Sequence, residues 1–263
     1  MRALRLTFGL LTVIPVGAIG DVDRHLARKA ILLAPLVGLV LGALAALVVA
    51  VVHALVPSTL GALLAAVLAV ALLAYLTRAL HLDGLADTAD ALGSGKPADA
   101  ALEIARRGDV GPFGVVTLVL VLLMQVTALA IATEAGWGGM TVVIAVVTGR
   151  AAVIVACTRG IPAARPEGLG ALVAGTIPRV ASAAWVIVIV IGAFGVGTWL
   201  TPDAAWTWPL AVAVGLAVAA LLVRRAARRL GGVTGDVMGA TVETASTTAL
   251  LVAALTYASA LTS

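Results

Sequence analysis

Residues 78–93 read RALHLDGLADTADALG, and the rest of the chain is organised around this stretch. Its three carboxylates, Asp83, Asp87 and Asp90, stand at i, i+4 and i+7, which places them on one face of a helix within about two turns. Stacked carboxylates repel one another unless a cation lies between them, and their oxygens suit hard ions such as Mg²⁺. The stretch predicts a helical metal site, with a solvated acidic face as the alternative.

The sequence on both sides of this stretch is too apolar for a soluble protein. Of its 263 residues 62% are hydrophobic and 11% are charged, and the mean hydropathy is +1.16. Seven apolar runs come near the length of about twenty residues that crosses a bilayer. They lie at about 30–56, 59–80, 113–133, 138–158, 180–199, 206–223 and 242–261. We therefore expect an all-α polytopic integral membrane protein, with residues 1–263 in a single membrane domain.

The amino-terminal apolar run, residues 6–19, differs from the seven spans. It is too short to cross a bilayer and contains Pro15. The run resembles a signal peptide but lacks a clear cleavage site of small residues. We expect a short interfacial or partly buried helix that is not removed, and a signal peptide is the alternative.

Basic residues are confined to one side of the predicted spans. If the amino end is cytoplasmic, every Lys and Arg except Arg150 falls in a cytoplasmic segment, while the opposite connections contain Glu134 and Asp203 and no basic residue. The cytoplasmic segments are 1–29, 78–112, 159–179 and 224–241. This positive-inside pattern predicts a bacterial cytoplasmic membrane protein whose active site faces the cytoplasm. It also explains the net charge of +4 without nucleic acid.

Further candidate residues lie in or near the same cytoplasmic segments. A helix from Pro97 to about Arg107 carries acidic and basic side chains one turn apart, and Arg150 is an ionisable residue inside a span. The glycine-rich segment 230–243 lets backbone amides approach an anion. Substrate contacts are therefore expected from Arg78, Lys96, Glu103, Arg106, Arg150, Thr234 and Gly235, and metal contacts from Asp83, Asp87, Asp90 and Asp236.

Plainer interpretations of several of these residues stay open. Lys96 follows glycines without forming a Walker motif, so it fits a solvated turn equally well. Glu103 and Arg106 also fit a surface ion pair. The basic run 224–229 fits a topology anchor or a contact with anionic lipid.

A cytoplasmic pocket of carboxylates, arginines and glycine-rich turns suits phosphoryl transfer from a nucleotide-activated group to an alcohol. Mg²⁺ would neutralise the pyrophosphate, and a carboxylate or His81 would take the alcohol proton. The expected catalytic residues are His81, Asp83 and Asp87. For His81 a phosphate contact and a helix-end hydrogen bond remain equal alternatives.

The chain resembles the cobalamin synthase family in motifs spread over nearly its whole length. The matching pieces are FxxLTxxPV from Phe8, HLDGLADTAD from His81, LEIAR from Leu102 with Gly111 and Gly114, EGLG from Glu167 and LGGxTGD from Leu230. The resemblance implies Mg²⁺-dependent transfer of the adenosylcobinamide phosphoryl group from adenosylcobinamide-GDP to the 3′-hydroxyl of α-ribazole or its 5′-phosphate, with release of GMP. One departure, Arg107-Gly108-Asp109 after Arg106, leaves the roles of Arg107 and Asp109 open.

Two other functions compete with this interpretation. A CDP-alcohol-type phosphotransferase of lipid synthesis also clusters aspartates at helix ends, but its Asp-Gly-x-x-Ala-Arg pattern is broken here by Asp87. A cation-coupled transporter would place its carboxylates near midspan, whereas these lie at the ends of spans. The expected partners are the two small-molecule substrates and the lipid bilayer, and the sequence leaves an oligomer open.

Overall fold

The computed structural model describes residues 1–261, together with the side chains of 1–202 and 204–256, and this part of the chain is built from helices. Seven helices within it are long and apolar enough to cross a membrane. They are α3 (Ala34–Leu55), α4 (Thr59–Leu76), α7 (Pro112–Glu134), α8 (Gly138–Ala156), α10 (Arg179–Leu200), α11 (Thr207–Leu230) and α12 (Gly235–Leu261). The prediction of an all-α membrane protein with seven spans is confirmed.

Five shorter helices complete the fold of residues 1–261. They are α1 (Arg2–Leu11), α2 (Arg24–Leu32), α5 (Leu80–Gly93), α6 (Ala98–Arg106) and α9 (Gly168–Val173), and a single 3₁₀ turn covers Pro202–Ala204. The short helix expected within residues 6–19 instead covers Arg2–Leu11, and an irregular segment follows it. In that segment Gly17 and Gly20 have positive φ angles that glycine adopts without strain.

Several of the predicted span boundaries also move, and the first and last spans illustrate the changes. The first span, expected at 30–56, is broken at Leu33, which separates α2 from α3. The last span begins at Gly235 and not at 242, because the Thr234 hydroxyl accepts a hydrogen bond from the Val237 N–H and caps the helix. This earlier start brings Asp236 into the first turn of α12.

The centre of the bundle is formed by α8 and α12. In the apolar 18-residue stretch of each helix, 78% of α8 and 72% of α12 is buried, against 17% of α10. Glycine allows the backbones to approach closely: a Cβ atom at Gly42 of α3 would lie 2.8 Å from the Cα atom of Val143 in α8. Close packing through small residues is the usual way in which membrane helices associate.

Three connections meet at one end of this bundle. The first carries α5 and α6, the second covers residues 157–178 with α9, and the third is the short link 231–234. A parallel β-bridge between Ala163 and Val233 joins the second connection to the third. Arg24 of α2 donates hydrogen bonds to the carbonyl oxygens of Ala171 and Ala174, which holds α2 against α9.

Candidate active site

The crossing of α5 and α12 builds the site, and two glycines permit it. A Cβ atom at Gly84 would lie 2.7 Å from the carbonyl oxygen of Asp236, and one at Gly239 would lie 3.1 Å from the Cα atom of His81. Each helix therefore presents a glycine to the other at van der Waals distance. This contact brings the acidic face of α5 to the amino-terminal turn of α12.

The entry into α5 is a tight corner. Arg78 and Ala79 both adopt the left-handed backbone conformation, with φ of 54° and 52°. The Ala79 N–H donates a 2.7 Å hydrogen bond to the Ala74 carbonyl, which closes the turn at the end of α4. Non-glycine residues adopt this conformation at a cost of about 1–3 kcal/mol each when the surrounding structure requires it. The corner directs α5 back against α12.

A cavity of about 330 Å³ opens beside this crossing. Its polar lining residues, here the polar wall, include His81, Asp83, Arg165, Thr234 and Asp236. Its apolar lining residues, here the apolar wall, include Leu10, Leu11, Ile31, Val153 and Met238. The cavity therefore offers both charged groups and a hydrophobic surface.

Thr234 and Asp236 form one unit at the start of α12. The Thr234 hydroxyl donates a 3.1 Å hydrogen bond to Oδ2 of Asp236 and accepts one from the Val237 N–H. Both side chains line the cavity. The amino end of a helix favours negative charge because its first N–H groups have no partner within the helix. The α12 terminus can therefore receive an anionic substrate group beside a held carboxylate.

Asp87 on α5 has a carboxyl group with a raised pKa. Burial and the negative charges of Asp83, Asp236 and Asp90 together raise its pKa to about 6, against the opposing effect of the Arg165 guanidinium. These influences show that carboxylates from α5 and α12 share one electrostatic environment. Crowding of this kind disfavours the ionised forms and is relieved when a cation binds.

In the metal-free protein we expect protonation of Asp87 to add stability as the pH falls through about 6, while buried His81, whose pKa is lowered, acts in the opposite direction. The folded-state pKa of Asp87 lies above its ordinary value of 3.8, so folding favours the protonated form, and the gain is complete only when the pH reaches about 4. Thermal unfolding in detergent with a chelator, at about pH 5 and about pH 7.5, measures the effect. Asp87→Asn lacks the Asp87 contribution, so at the lower pH its unfolding midpoint, relative to its own value at the higher pH, should be less favourable than that of the native protein; an equal change in both proteins would contradict this assignment.

His81 lines the cavity from the first turn of α5 and is buried. Its Nδ1 atom has no hydrogen-bond partner among the residues that the structure describes. Burial lowers the pKa of His81 well below its usual value, and the positive charge of Arg150 lowers it further. The imidazole is therefore neutral near pH 7 and can accept a proton or a hydrogen bond.

Asp90 was predicted to bind a metal, but its carboxylate contacts backbone N–H groups. Its Oδ2 and Oδ1 atoms accept hydrogen bonds of 2.8 and 3.0 Å from the N–H groups of Gly111 and Gly114, at the amino end of α7. A side chain at either glycine would collide with this carboxylate. Both oxygens of Asp90 already accept hydrogen bonds from the amino end of α7, so Asp90 is not assigned to the metal site.

Asp90→Asn is expected to destabilise the protein. An amide has only one oxygen, so one of the two N–H groups of α7 loses its acceptor, at a cost of about 1–3 kcal/mol. Thermal unfolding should show a lower midpoint for this variant than for Asp109→Asn, which changes an exposed aspartate nearby. A loss of Mg²⁺ affinity without a loss of stability would instead support a metal role for Asp90.

The structure places the remaining predicted residues outside the main cavity. Arg78 and Lys96 are exposed and are not among its lining residues. Glu103 and Arg106 line an adjoining groove of about 260 Å³, where Arg106 lies 3.9 Å from Glu167. Arg150 is buried in α8 and lines a separate small cavity that also contains Glu243.

Comparison with known proteins agrees with this arrangement. The family model described as CobS, cobalamin-5-phosphate synthase, matches residues 3–254. The chain belongs to the CobS family. A relative from Frankia casuarinae, named adenosylcobinamide-GDP ribazoletransferase, is 42% identical over 269 residues, covering 97% of this chain and 95% of the relative.

Other CobS relatives carry the same name. One from a Nocardioides species is 41% identical, covering 95% of this chain and 96% of its own length, and one from Pseudomonas putida is 38% identical with coverages of 93% and 95%. No solved structure matches. The resemblance in the sequence motifs is therefore confirmed at the level of the whole chain.

Arg165 completes the polar wall of this CobS site and was missed by the sequence analysis, which treated it only as a basic residue of a connection. It is half-buried, and its Nη2 donates to the Leu102 carbonyl of α6. Its charge acts on both Asp87 and Asp236. The signal that could have identified it is its place two residues before the EGLG motif at Glu167.

The metal-ligating side chains of this site fit Mg²⁺ only in part. Within residues 1–256, apart from position 203, no group of three His, Cys, Asp or Glu side chains can hold a metal by itself. Mg²⁺ is commonly bound by one or two carboxylates, with substrate phosphates and water as the other ligands. Asp83, Asp87 and Asp236 supply such carboxylates, so a metal here would be completed by the substrate.

Proposed function

We propose that this CobS-family protein transfers the adenosylcobinamide phosphoryl group from adenosylcobinamide-GDP to the 3′-hydroxyl of α-ribazole or α-ribazole 5′-phosphate, and releases GMP. One observation carries the proposal: the α5–α12 crossing brings Asp83, Asp87 and Asp236 together beside a cavity, in a chain whose relatives bear the name of this activity. The enzyme would be a nucleotide-displacing phosphotransferase.

The pyrophosphate of the donor is assigned to the polar wall. The amino end of α12 favours negative charge through its helix dipole, and Arg165 offers a guanidinium that is held in place through its bond to Leu102. Asp83, Asp87 and Asp236 would hold Mg²⁺ here, which would neutralise the pyrophosphate oxygens. The carboxylates would otherwise repel the donor, so its binding should require the cation.

The reaction needs an in-line displacement at the phosphorus that carries cobinamide. The 3′-hydroxyl oxygen forms the new P–O bond, the bond to the GMP oxygen breaks, and the hydroxyl proton passes to a base. His81 and Asp87 are the candidates for this base, because the first is neutral and unpartnered at Nδ1 and the second has a pKa of about 6. A neutral imidazole and a carboxylate are both forms that can accept a proton near neutral pH.

The two walls of the cavity suggest which substrate enters it. A volume of about 330 Å³ suits a nucleoside such as α-ribazole, whereas a corrin ring with its substituents is much larger. The apolar wall of Leu10, Leu11 and Ile31 would pack against the aromatic base of ribazole. The corrin would then lie outside the cavity, with only its phosphate linkage reaching the polar wall.

A direct assay tests the function. Purified protein in detergent or bilayers is given adenosylcobinamide-GDP, α-ribazole 5′-phosphate and Mg²⁺, and GMP release is followed with the product. We expect GMP and the cobalamin product in equal amounts, and neither when Mg²⁺ is replaced by a chelator. Absence of turnover with both ribazole forms over a range of metals would reject the proposal. Turnover that persists with the chelator would reject only the role of Mg²⁺.

The active site is proposed to face the cytoplasm, from the distribution of basic residues. The chain contains one cysteine, Cys157, which is buried, so a new cysteine in a connection between spans can be labelled selectively. An Asp203→Cys variant in whole cells should react with an impermeant maleimide from outside. Reaction only after the cells are opened would reverse the orientation.

Neither alternative function is favoured by the structure. The transporter hypothesis needs a cation site inside the bundle, and the cavity that contains Glu243 also contains the Arg150 side chain. In it Glu243 accepts a 2.8 Å hydrogen bond from Gln125. The lipid-synthesis hypothesis finds no support in the relatives from Frankia casuarinae, Nocardioides and Pseudomonas putida, which bear the ribazoletransferase name.

A further inference from the structure

A second groove opens between the ends of α8, α10 and α11 and shares no lining residue with the active-site cavity. Its volume is about 630 Å³. Its walls are mainly apolar and include Val155, Ile161, Leu221 and Val223, while Arg224 and Arg228 are its charged residues. The groove lies at the basic end of the bundle, where α10 begins and α11 ends.

Loose packing of α10 leaves this groove accessible from the membrane. Of the seven spans, α10 has the smallest buried share, and its first apolar residue, Val180, is 81% exposed. Leu221 of α11 is 59% exposed and lines the groove. The apolar wall therefore continues into the surface that faces lipid.

Among the side chains that the structure describes, none forms an ion pair with the two arginines of the groove. Arg224 and Arg228 stand one turn apart on α11, where like charges repel. Both are exposed, and no acidic side chain is among the residues that line the groove. Arg159 and Arg179 also lie at this end, with Arg179 donating to the Arg159 carbonyl. The local charge therefore favours an anion.

We propose that this groove binds an anionic phospholipid. The phosphodiester would lie between Arg224 and Arg228, and the acyl chains would follow Leu221 and the exposed face of α10. A free phosphate would contact only the arginines and would leave the apolar walls exposed, so the groove as a whole matches an amphipathic ligand. The occupant would fill the space between α10 and its neighbours.

Two double variants test the proposal with matched charge. Arg224→Gln with Arg228→Gln removes the two arginines that line the groove, whereas Arg225→Gln with Arg229→Gln removes two exposed arginines of the same run that do not. Binding of phosphatidylglycerol to purified protein in neutral detergent is measured by native mass spectrometry, with phosphatidylcholine as the reference lipid. We expect the first pair to weaken phosphatidylglycerol binding about thirtyfold and the second pair to weaken it much less.

Each other result has a defined meaning. Equal losses in both pairs would show a general surface-charge effect and overturn the proposal. Displacement of the lipid by inorganic phosphate at a similar concentration would show that only the headgroup binds, which also overturns it. If the arginine variants unfold, Ala220→Phe fills the groove without changing its charge. That variant should also weaken lipid binding, and unaltered binding would reject the groove as the site.

Discussion

Asp83→Asn is expected to lower GMP release by about a thousandfold or more, since it removes one of the carboxylates assigned to Mg²⁺ and the pyrophosphate. Asp83 lines the cavity and is exposed within it, so the amide should be accommodated without a change in packing. Initial rates with saturating donor and acceptor, together with Mg²⁺ binding by calorimetry, measure the effect.

The control for this prediction separates chemistry from folding. Asp83→Asn should insert into the membrane and unfold at a temperature near that of the native protein, while Asp90→Asn should show the opposite pattern of low stability and retained Mg²⁺ affinity. The two residues stand seven positions apart on α5 but contact different partners. Near-normal turnover in Asp83→Asn would remove Asp83 from the site.

Gly84→Ala is expected to reduce turnover by about a hundredfold through a change in position alone, because small displacements of catalytic groups have effects of this size. The new Cβ would lie 2.7 Å from the Asp236 carbonyl oxygen and 2.9 Å from its Cα, and both are backbone atoms that cannot rotate away. The two helices must therefore separate, which moves Asp83 and Asp87 away from Asp236. Overpacking of this kind also costs about 1–3 kcal/mol of stability.

A matched control is available in α10. An added Cβ at Gly192 has no atom within 4 Å, so Gly192→Ala makes the same chemical change without a collision. Turnover and thermal unfolding of Gly192→Ala should resemble those of the native protein. Unchanged activity in Gly84→Ala would show that the α5–α12 distance does not set the geometry of the site.

The motif from His81 to Asp90 could be recognised from the sequence because its residues lie close together in the chain. Asp83 and Asp87 are one turn apart, so helical periodicity alone places them near one another, and His81 lies in the same short motif. Asp90 follows the same periodicity, yet its contacts are decided by Gly111 and Gly114, more than twenty positions away. A side chain on the correct face of a helix can thus meet a partner that periodicity does not reveal.

Residues from distant segments were harder to place. Arg150 was expected at the site, and it lines the cavity of Glu243 because α8 is buried at the centre of the bundle. Arg165 was overlooked because nothing in its immediate sequence shows that the 159–178 connection turns back toward α12. The bridge from Ala163 to Val233 and the bond from Arg165 to Leu102 create that approach.

The sequence by itself determined the seven spans, the side on which the basic residues lie and the acidic face of α5. These properties follow from hydropathy, charge and helical periodicity, which act over a few turns of the chain. Only the tertiary structure decided that Asp236 joins Asp83 and Asp87, that Asp90 caps α7 and that α1 closes the apolar wall. The reason is physical: these contacts depend on how closely two backbones approach, and at Gly84 and Gly239 that distance is set by the partner helix.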